Sequence, residues 1–323
     1  MGTADYATHS AVRRRRLTAA RVGQVIWSVI RYILIIGIGF IILHPLLVKL
    51  AASFMDPKDL WDNTVKWIPR NFTLDNYRIA FTYMYYPQAF VRSATLAVVV
   101  SVLQLFSCTS VGYALGRFHF RGSSLLRALV VFTLIVPPHL ILIPMYLNFR
   151  FFDIFGLLPG SGINLIGTYW PQILMACGAV GLRNGIFIYI MQQFFRGMPH
   201  QLEEAAYVDG ASPYRTFVSV MLPSAIPAMV TVFLFSFVWQ WNDMFYASIF
   251  MQDSDLLPFT LRSVGMQYDI AYSQMTGGGH ITNQEWVLIE NTGMLLFIAP
   301  LLILYAALQR YFIESMERTG IVG

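Results

Sequence analysis

The chain has 323 residues, room for two soluble domains or one polytopic membrane domain. Hydrophobic residues make up 56% and charged residues 12%, about half the roughly 25% charge of an ordinary soluble domain, which excludes a soluble globular fold. The net charge of +5 comes from arginines set beside apolar stretches and from no recognisable nucleic-acid-binding module, so it argues against a nucleic-acid partner.

In chain order, Arg13, Arg14, Arg15, Arg16, Arg21 and Arg31 precede a first apolar stretch from Tyr32 to Val48. That stretch exceeds the apolar core of about 7 to 15 residues in a signal peptide, and no small-x-small cleavage site follows it, so it reads as a retained first span. Pro45 lies near its outer end, and Lys49 can snorkel to the interface. Residues 93–116 and 128–149 hold no Asp, Glu, Lys or Arg, and a helix needs roughly 20 such residues to cross the hydrocarbon core. Their apolar character is continuous and not alternating, which excludes a β-barrel. Predicted spans cover 31–52, 91–115, 125–148, 168–195, 225–250 and 290–310, giving an all-α membrane protein of six transmembrane helices. Arg183 falls inside the fourth, where a charge is costly. It is expected to face an interface or water cavity, or to mark a break. Cys108 and Cys177 sit in apolar windows as packing residues.

The loops set the orientation. The amino-terminal arginines face only Asp5, and Arg117, Arg121 and Arg127 cluster around the 116–124 loop. The 53–90 loop is balanced, with Asp56, Asp59, Asp62 and Asp75 against Lys58, Lys66, Arg70 and Arg78. The 251–290 loop is acidic, with Asp253, Asp255, Asp269, Glu285 and Glu290 against Arg262. Basic segments stay cytoplasmic, so both termini and the 116–124 and 196–224 loops are expected there. The organisation is then a basic cytoplasmic arm over 1–30, a permease domain over 31–312, and a cytoplasmic tail over 313–323.

The loop over 197–223, from Gly197 through Pro199, Glu203, Glu204 and Gly210 to Leu222-Pro223, carries the most information. Pro199 suits a first turn, and Glu203 and Glu204 favour the positive end of a helix. Gly210 fits the left-handed position that closes one. Ser212 caps a second helix with Pro213 at its first position, and Tyr214, Phe217, Val218 and Met221 fall on one face. The prediction is a cytoplasmic helix-turn-helix elbow with an apolar side, built to dock.

Glu204-Ala-Ala206, Gly210, and Val220-x-Leu222-Pro223 resemble the signature loop of ABC importer permeases, with Val220 where the family usually has Ile. Gln192 to Pro199 is similar to the approach to that loop. Phe237 to Phe245 looks like the fifth span of carbohydrate-type members. Ala307 to Phe312 and Gly320-Ile-Val-Gly323 resemble the tail of the maltose-type permease without the large extracellular insertion. The amino-terminal 25 residues have no counterpart. The resemblance implies coupling to a cytoplasmic ATPase through Glu203, Glu204, Ala205, Ala206, Asp209, Gly210, Leu222 and Pro223. It also implies a second permease subunit in a heterodimer, two ATPase subunits, an extracytoplasmic solute-binding protein, a small sugar as solute and the lipid of a bacterial inner membrane.

Trp239, Trp241, Asn242 and Asp243 are candidates for the substrate path, since aromatics stack on sugar faces and amides bind hydroxyls. The plainer reading packs the tryptophans between helices, held by Asn242 and Asp243. His44, His119, His139, His200 and His280 show no metal-ligand spacing. Gly277-Gly-Gly279 reads as a flexible outer loop, and the resemblance to maltose-type permeases implies that an outer loop near it contacts the binding protein. With no Gly-x-x-x-x-Gly-Lys-Ser/Thr, the chain has no ATP site, so ATP and magnesium belong to a partner subunit and no cofactor is expected here. No nucleophile–base pattern marks an enzyme. Alternatives are an ABC permease for a polyamine or anion, or an ion-coupled secondary transporter, which should show repeated halves and several intramembrane acids.

Overall fold

The computed structural model describes residues 3–320 except 63, 154–155, 157–161, 182 and 252–254, with side chains described from 24 to 311 apart from 138. The side chains of Asp5 and the Arg13–Arg16 and Arg21 cluster, Asp253, and the end of the tail therefore lie outside the described residues. Among the described residues the regular structure is helical, with two isolated bridges besides. It divides into two compact units, residues 1–76 and 77–323.

In the first unit, α1 runs unbroken from Thr3 to Ser53, so the arm and the predicted 31–52 span are one helix. Its apolar part, Gln24–Ser53, is long and hydrophobic enough to cross a membrane and buries nothing in its most apolar window. An aliphatic surface of that length belongs against lipid or a partner. The segment after it folds tightly. Buried Asp59 accepts from the Asn71 backbone N–H at 3.0 Å and from its side-chain amide at 2.7 Å. Asn76 donates to the Ser53 and Met55 carbonyls, and Arg70 pairs with Asp62 at 2.6 Å. Asp59, Asp62 and Arg70 of this loop thus serve local turns.

The second unit is built on α3 (Tyr86–Arg117), preceded by α2 (Asp75–Tyr83), which begins at the unit boundary. Three hydrophobic clusters run along α3: one holds Ala89 and Ala97, a second Leu96 and Val100, a third Cys108, Tyr113 and Leu115. The predicted third span is bent by 98° between α4 (Ser123–Ile135) and the segment holding α5 (Leu142–Arg150). Pro137 and Pro138 stand at the bend, where neither can donate a helical hydrogen bond. The segment predicted as a fourth span forms two helices, α6 (Trp170–Cys177) and α7 (Asn184–Gly197). Ala179 and Arg183 both hold positive φ in the break between them, so the arginine does mark an interruption. The chain continues through α8 (Gln201–Val208), α9 (Pro213–Thr216), a π turn over Phe217–Met221 and the single turn α10 (Leu222–Ser224). The segment predicted as a fifth span forms α11 (Ile226–Trp241), then α12 (Phe245–Phe250), with Asp243 Oδ1 accepting from the Tyr246 N–H at 3.1 Å to start the second piece.

Where the sequence predicted an acidic loop, a 20-residue helix, α13 (Leu257–Thr276), packs beside α14 (Asn283–Gly320). Gly277 and Gly278 close it with φ of 72° and 117°, and both N–H groups bond the Ser273 carbonyl. This glycine run is therefore a defined helix end rather than a flexible tract. Asp269 accepts from the Ile281 N–H at 2.9 Å and lies 2.9 Å from the His280 ring, and these bonds hold its carboxyl below the usual carboxylate range. Of the predicted spans, those in α1, α3 and α14 are continuous helices long and apolar enough to cross a bilayer.

Candidate functional site

The elbow between α7 and α11 has the local architecture its residues dictate. Glu203 and Glu204 occupy the first turn of α8. Gly210 follows with φ of 81°, its N–H on the Tyr207 carbonyl, and the Ala211 N–H returns to Ala206 at 2.9 Å. A Cβ at Gly210 would meet open space, so the requirement there is purely conformational. Ser212 caps α9 by accepting from the Arg215 N–H at 3.3 Å, with Pro213 at the first position. The elbow then turns by 74° into α11, next to Leu222 and Pro223.

The side chains of the elbow divide between two directions. Glu203 is turned inward to α3: its Oε1 accepts from the Tyr113 hydroxyl at 2.9 Å, and its Oε2 pairs with Arg117 Nε at 3.3 Å. The Arg117 side chain, 1% exposed, also donates to the carbonyls of Met198 at 3.0 Å and Pro199 at 3.2 Å. One arginine at the end of α3 thus holds the entry to α8 by charge and by backbone. The Tyr113 ring stands 4.5 Å from Phe217 and 5.2 Å from Phe195, and Ala206, Thr216 and Met221 are buried. Glu204, Ala205, Asp209 and Gly210 face outward, beside exposed Leu202, Tyr207, Val208 and Tyr214.

This corrects the predicted apolar face. Phe217 and Met221 point in, whereas Tyr214 and Val218 point out, because the π turn winds the chain more widely than the 3.6-residue period assumed. Sequence reading missed Tyr113 and Arg117 altogether. Arg117 looked like one more orienting charge in a short loop, and no local pattern links it to Glu203.

Trp239 and Trp241 part company. Trp241 is 2% exposed; its indole N–H donates to the Phe297 carbonyl at 3.2 Å, among the rings of Phe90, Phe237 and Phe297. Trp239 is half-buried, on Phe187 and Phe235 and under the Arg183 guanidinium. Asn242 is exposed and donates to Val238 of its own helix at 2.7 Å. Asp243 is buried and also meets the Gln172 amide at 3.4 Å. Gln172 in turn accepts from Gln240 at 3.2 Å, and Gln104 joins Asn184 at 2.6 Å and accepts from Ser236. Buried amides thus tie α3, α6, α7 and α11 together. Among the described residues no His, Cys, Asp and Glu gather as a metal site.

Against known proteins, residues 109–318 match the family described as binding-protein-dependent transport system inner membrane component. Protein LplC of Bacillus subtilis is 31% identical over 89% of this chain and 92% of its own. The arabinooligosaccharides transport system permease protein AraQ of Halalkalibacterium halodurans is 28% identical over 91% of this chain and 98% of its own. Among solved structures, a chain from a bacterial ABC transporter that imports the acidic polysaccharide alginate superposes with a TM-score of 0.66. It is 22% identical and covers 89% of this chain and 96% of that one, a likeness of fold.

Proposed function

The chain belongs to the family of binding-protein-dependent transport system inner membrane components, and we propose that it is the carbohydrate-type permease subunit of an ATP-driven importer, coupled to its ATPase through the 197–223 elbow. The observation that carries the coupling role is the division of the two adjacent glutamates. Glu203 is fixed to α3 through Arg117 and Tyr113, while Glu204 stands exposed among Leu202, Tyr207 and Val208. A force on the outer face of α8 passes into α3 through a buried ion pair and two backbone hydrogen bonds. An elbow held by loop backbone alone would yield instead.

In this reading the chain spans the inner membrane six times with both termini cytoplasmic. It pairs with a second permease, two ATPase subunits and an extracytoplasmic binding protein. ATP and magnesium act on the ATPase subunits, and this chain supplies the path and the mechanical linkage. Relatives named for oligosaccharide uptake support a carbohydrate solute.

The test uses the purified complex with its binding protein in proteoliposomes. Sugars should raise ATP hydrolysis above the basal rate, and Glu204→Lys should leave the permease inserted while the ATPase no longer stays on the membrane. Stimulation only by amino acids, polyamines or inorganic anions removes the carbohydrate assignment. Normal transport by Glu204→Lys removes the elbow as the coupling device.

A further inference from the structure

We propose that the turn following α1, with Trp67 and Ile68 at its tip, is a lipid anchor seated in the outer leaflet, where headgroups meet acyl chains. This inference rests on the six-span orientation proposed above, which puts the turn on the outer side. It adds a lipid contact that the orientation alone does not require.

The turn comes back along α1 instead of extending away from it. The chain leaves α1 at Ser53, and near that end Phe72 stacks on Phe54 at 5.3 Å and bridges to Met55. Trp67 stands elsewhere, edge-on to His44 with ring centres 5.3 Å apart. A helical rise of about 1.5 Å per residue sets His44 about 13 Å below Ser53. His44 also falls within the apolar stretch from Tyr32 to Val48, before Lys49. The Trp67 indole therefore reaches back to the depth at which α1 becomes continuously apolar. The helix it lies on buries nothing in its most apolar window.

The turn is held, so its apolar tip cannot fold away from its surroundings. Arg70 donates to Asp62 at 2.6 Å and to the Thr64 hydroxyl at 3.0 Å, and the Val65 N–H bonds the Asp62 carbonyl at 2.9 Å. Asp59 is taken up by Asn71 on the other strand of the turn. These bonds occupy the acids of the turn and leave Ile68 81% exposed beside exposed Trp67.

The chemistry of the tip selects lipid over protein. An indole favours the boundary between headgroups and hydrocarbon, where its ring is apolar and its N–H stays wet. Lys66, exposed and directly before Trp67, can lay its stem along apolar surface and keep its ammonium at the phosphates. Lysine is depleted from the cores of protein–protein interfaces. Cation, indole and isoleucine in a row, at the edge of a bare apolar helix, form an interfacial anchor. The rival occupants, the second permease and the binding protein, are separated by the experiment.

The assembled complex, with a permease lacking Cys108 and Cys177, is placed in nanodiscs of phosphatidylethanolamine and phosphatidylglycerol. A bimane fluorophore is attached at Ile68→Cys or, as the water-side control, at Gly278→Cys, and the complex without either cysteine supplies the background. Lipids brominated high on the acyl chain should remove most of the Ile68 signal, and lipids brominated near the methyl end should remove less. Aqueous iodide should barely reach Ile68 and should quench Gly278 strongly, and added binding protein should leave the Ile68 signal unchanged. Iodide quenching of Ile68 as complete as that of Gly278 overturns the anchor, because the turn then stands in water. If neither quencher reaches Ile68, or the binding protein shields it, a protein covers the turn and the anchor is equally overturned. Quenching of Ile68 by lipid while a Gly278 cysteine stays unreactive outside intact spheroplasts and one at Gln201 reacts brings down the six-span orientation and the outer-leaflet placement together. Iodide quenching of Ile68 with normal labelling of Gly278 overturns the anchor alone.

Discussion

Glu203 and Glu204 are chemically identical and adjacent, yet the fold gives them opposite work. Glu203 neutralises an arginine that is itself almost wholly buried, and removing one partner of such a pair typically costs about 3–5 kcal/mol. Glu203→Ala should therefore lower the thermal unfolding temperature of the detergent-solubilised permease markedly, and Arg117→Ala should do the same. Glu204→Ala, at an exposed position, should stay within about 0.5 kcal/mol of the parent while reducing stimulation of the ATPase. Replacing the pair together, Glu203→Leu with Arg117→Met, should recover much of the stability lost in either single variant. Differential scanning fluorimetry on the four proteins checks this; equal stability of Glu203→Ala and Glu204→Ala would contradict the inward role of Glu203.

At the scale of elements, the turn between α8 and α9 depends on one backbone conformation. Gly210→Val puts a branched side chain at a φ of 81° at a cost of roughly 1–2 kcal/mol, with no steric clash to add, since open space surrounds the position. The permease should still insert and fold, but with α8 displaced relative to α9, transport should be lost. Gly210→Asn, which enters the left-handed region more readily, should retain part of it. Membrane-fraction blots with uptake assays measure both, and full transport by the valine variant would mean that the turn geometry is not needed. The same scale explains the π turn at Phe217–Met221: it lets Phe217 reach Tyr113 while Tyr214 stays outside.

Across the whole molecule, the proposed orientation makes distinct claims for distant segments. In a background without Cys108 and Cys177, the free cysteines of the chain, a cysteine at Asp62 or Gly278 should react with an impermeant thiol reagent from outside. One at Gln201 should not. Asp62 and Gly278 lie in folded segments, one ion-paired and one at a helix end, so slower labelling than in an extended loop is expected, without protection. Labelling of Gln201 in intact spheroplasts would reverse the topology. The exposed apolar surface of α1 over Gln24–Ser53 fits the same membrane-embedded reading.

The sequence alone determined the helical membrane class, the positions of the apolar segments and the caps of the elbow, because each is written in neighbouring residues. Charge-free length marks a span, Ser212 before Pro213 starts a helix, and a glycine at position 210 ends one. Only the tertiary structure decided that the third, fourth and fifth predicted spans are interrupted, that α13 is a helix, and which glutamate faces in. Composition averages over a window and does not register a break such as the one at Arg183. The polar residues of α13 yield a helix because that segment packs on α14. The bond between Glu203 and Arg117 joins residues far apart in sequence, and only the packing of α8 against the end of α3 brings them together, so no local rule could contain it.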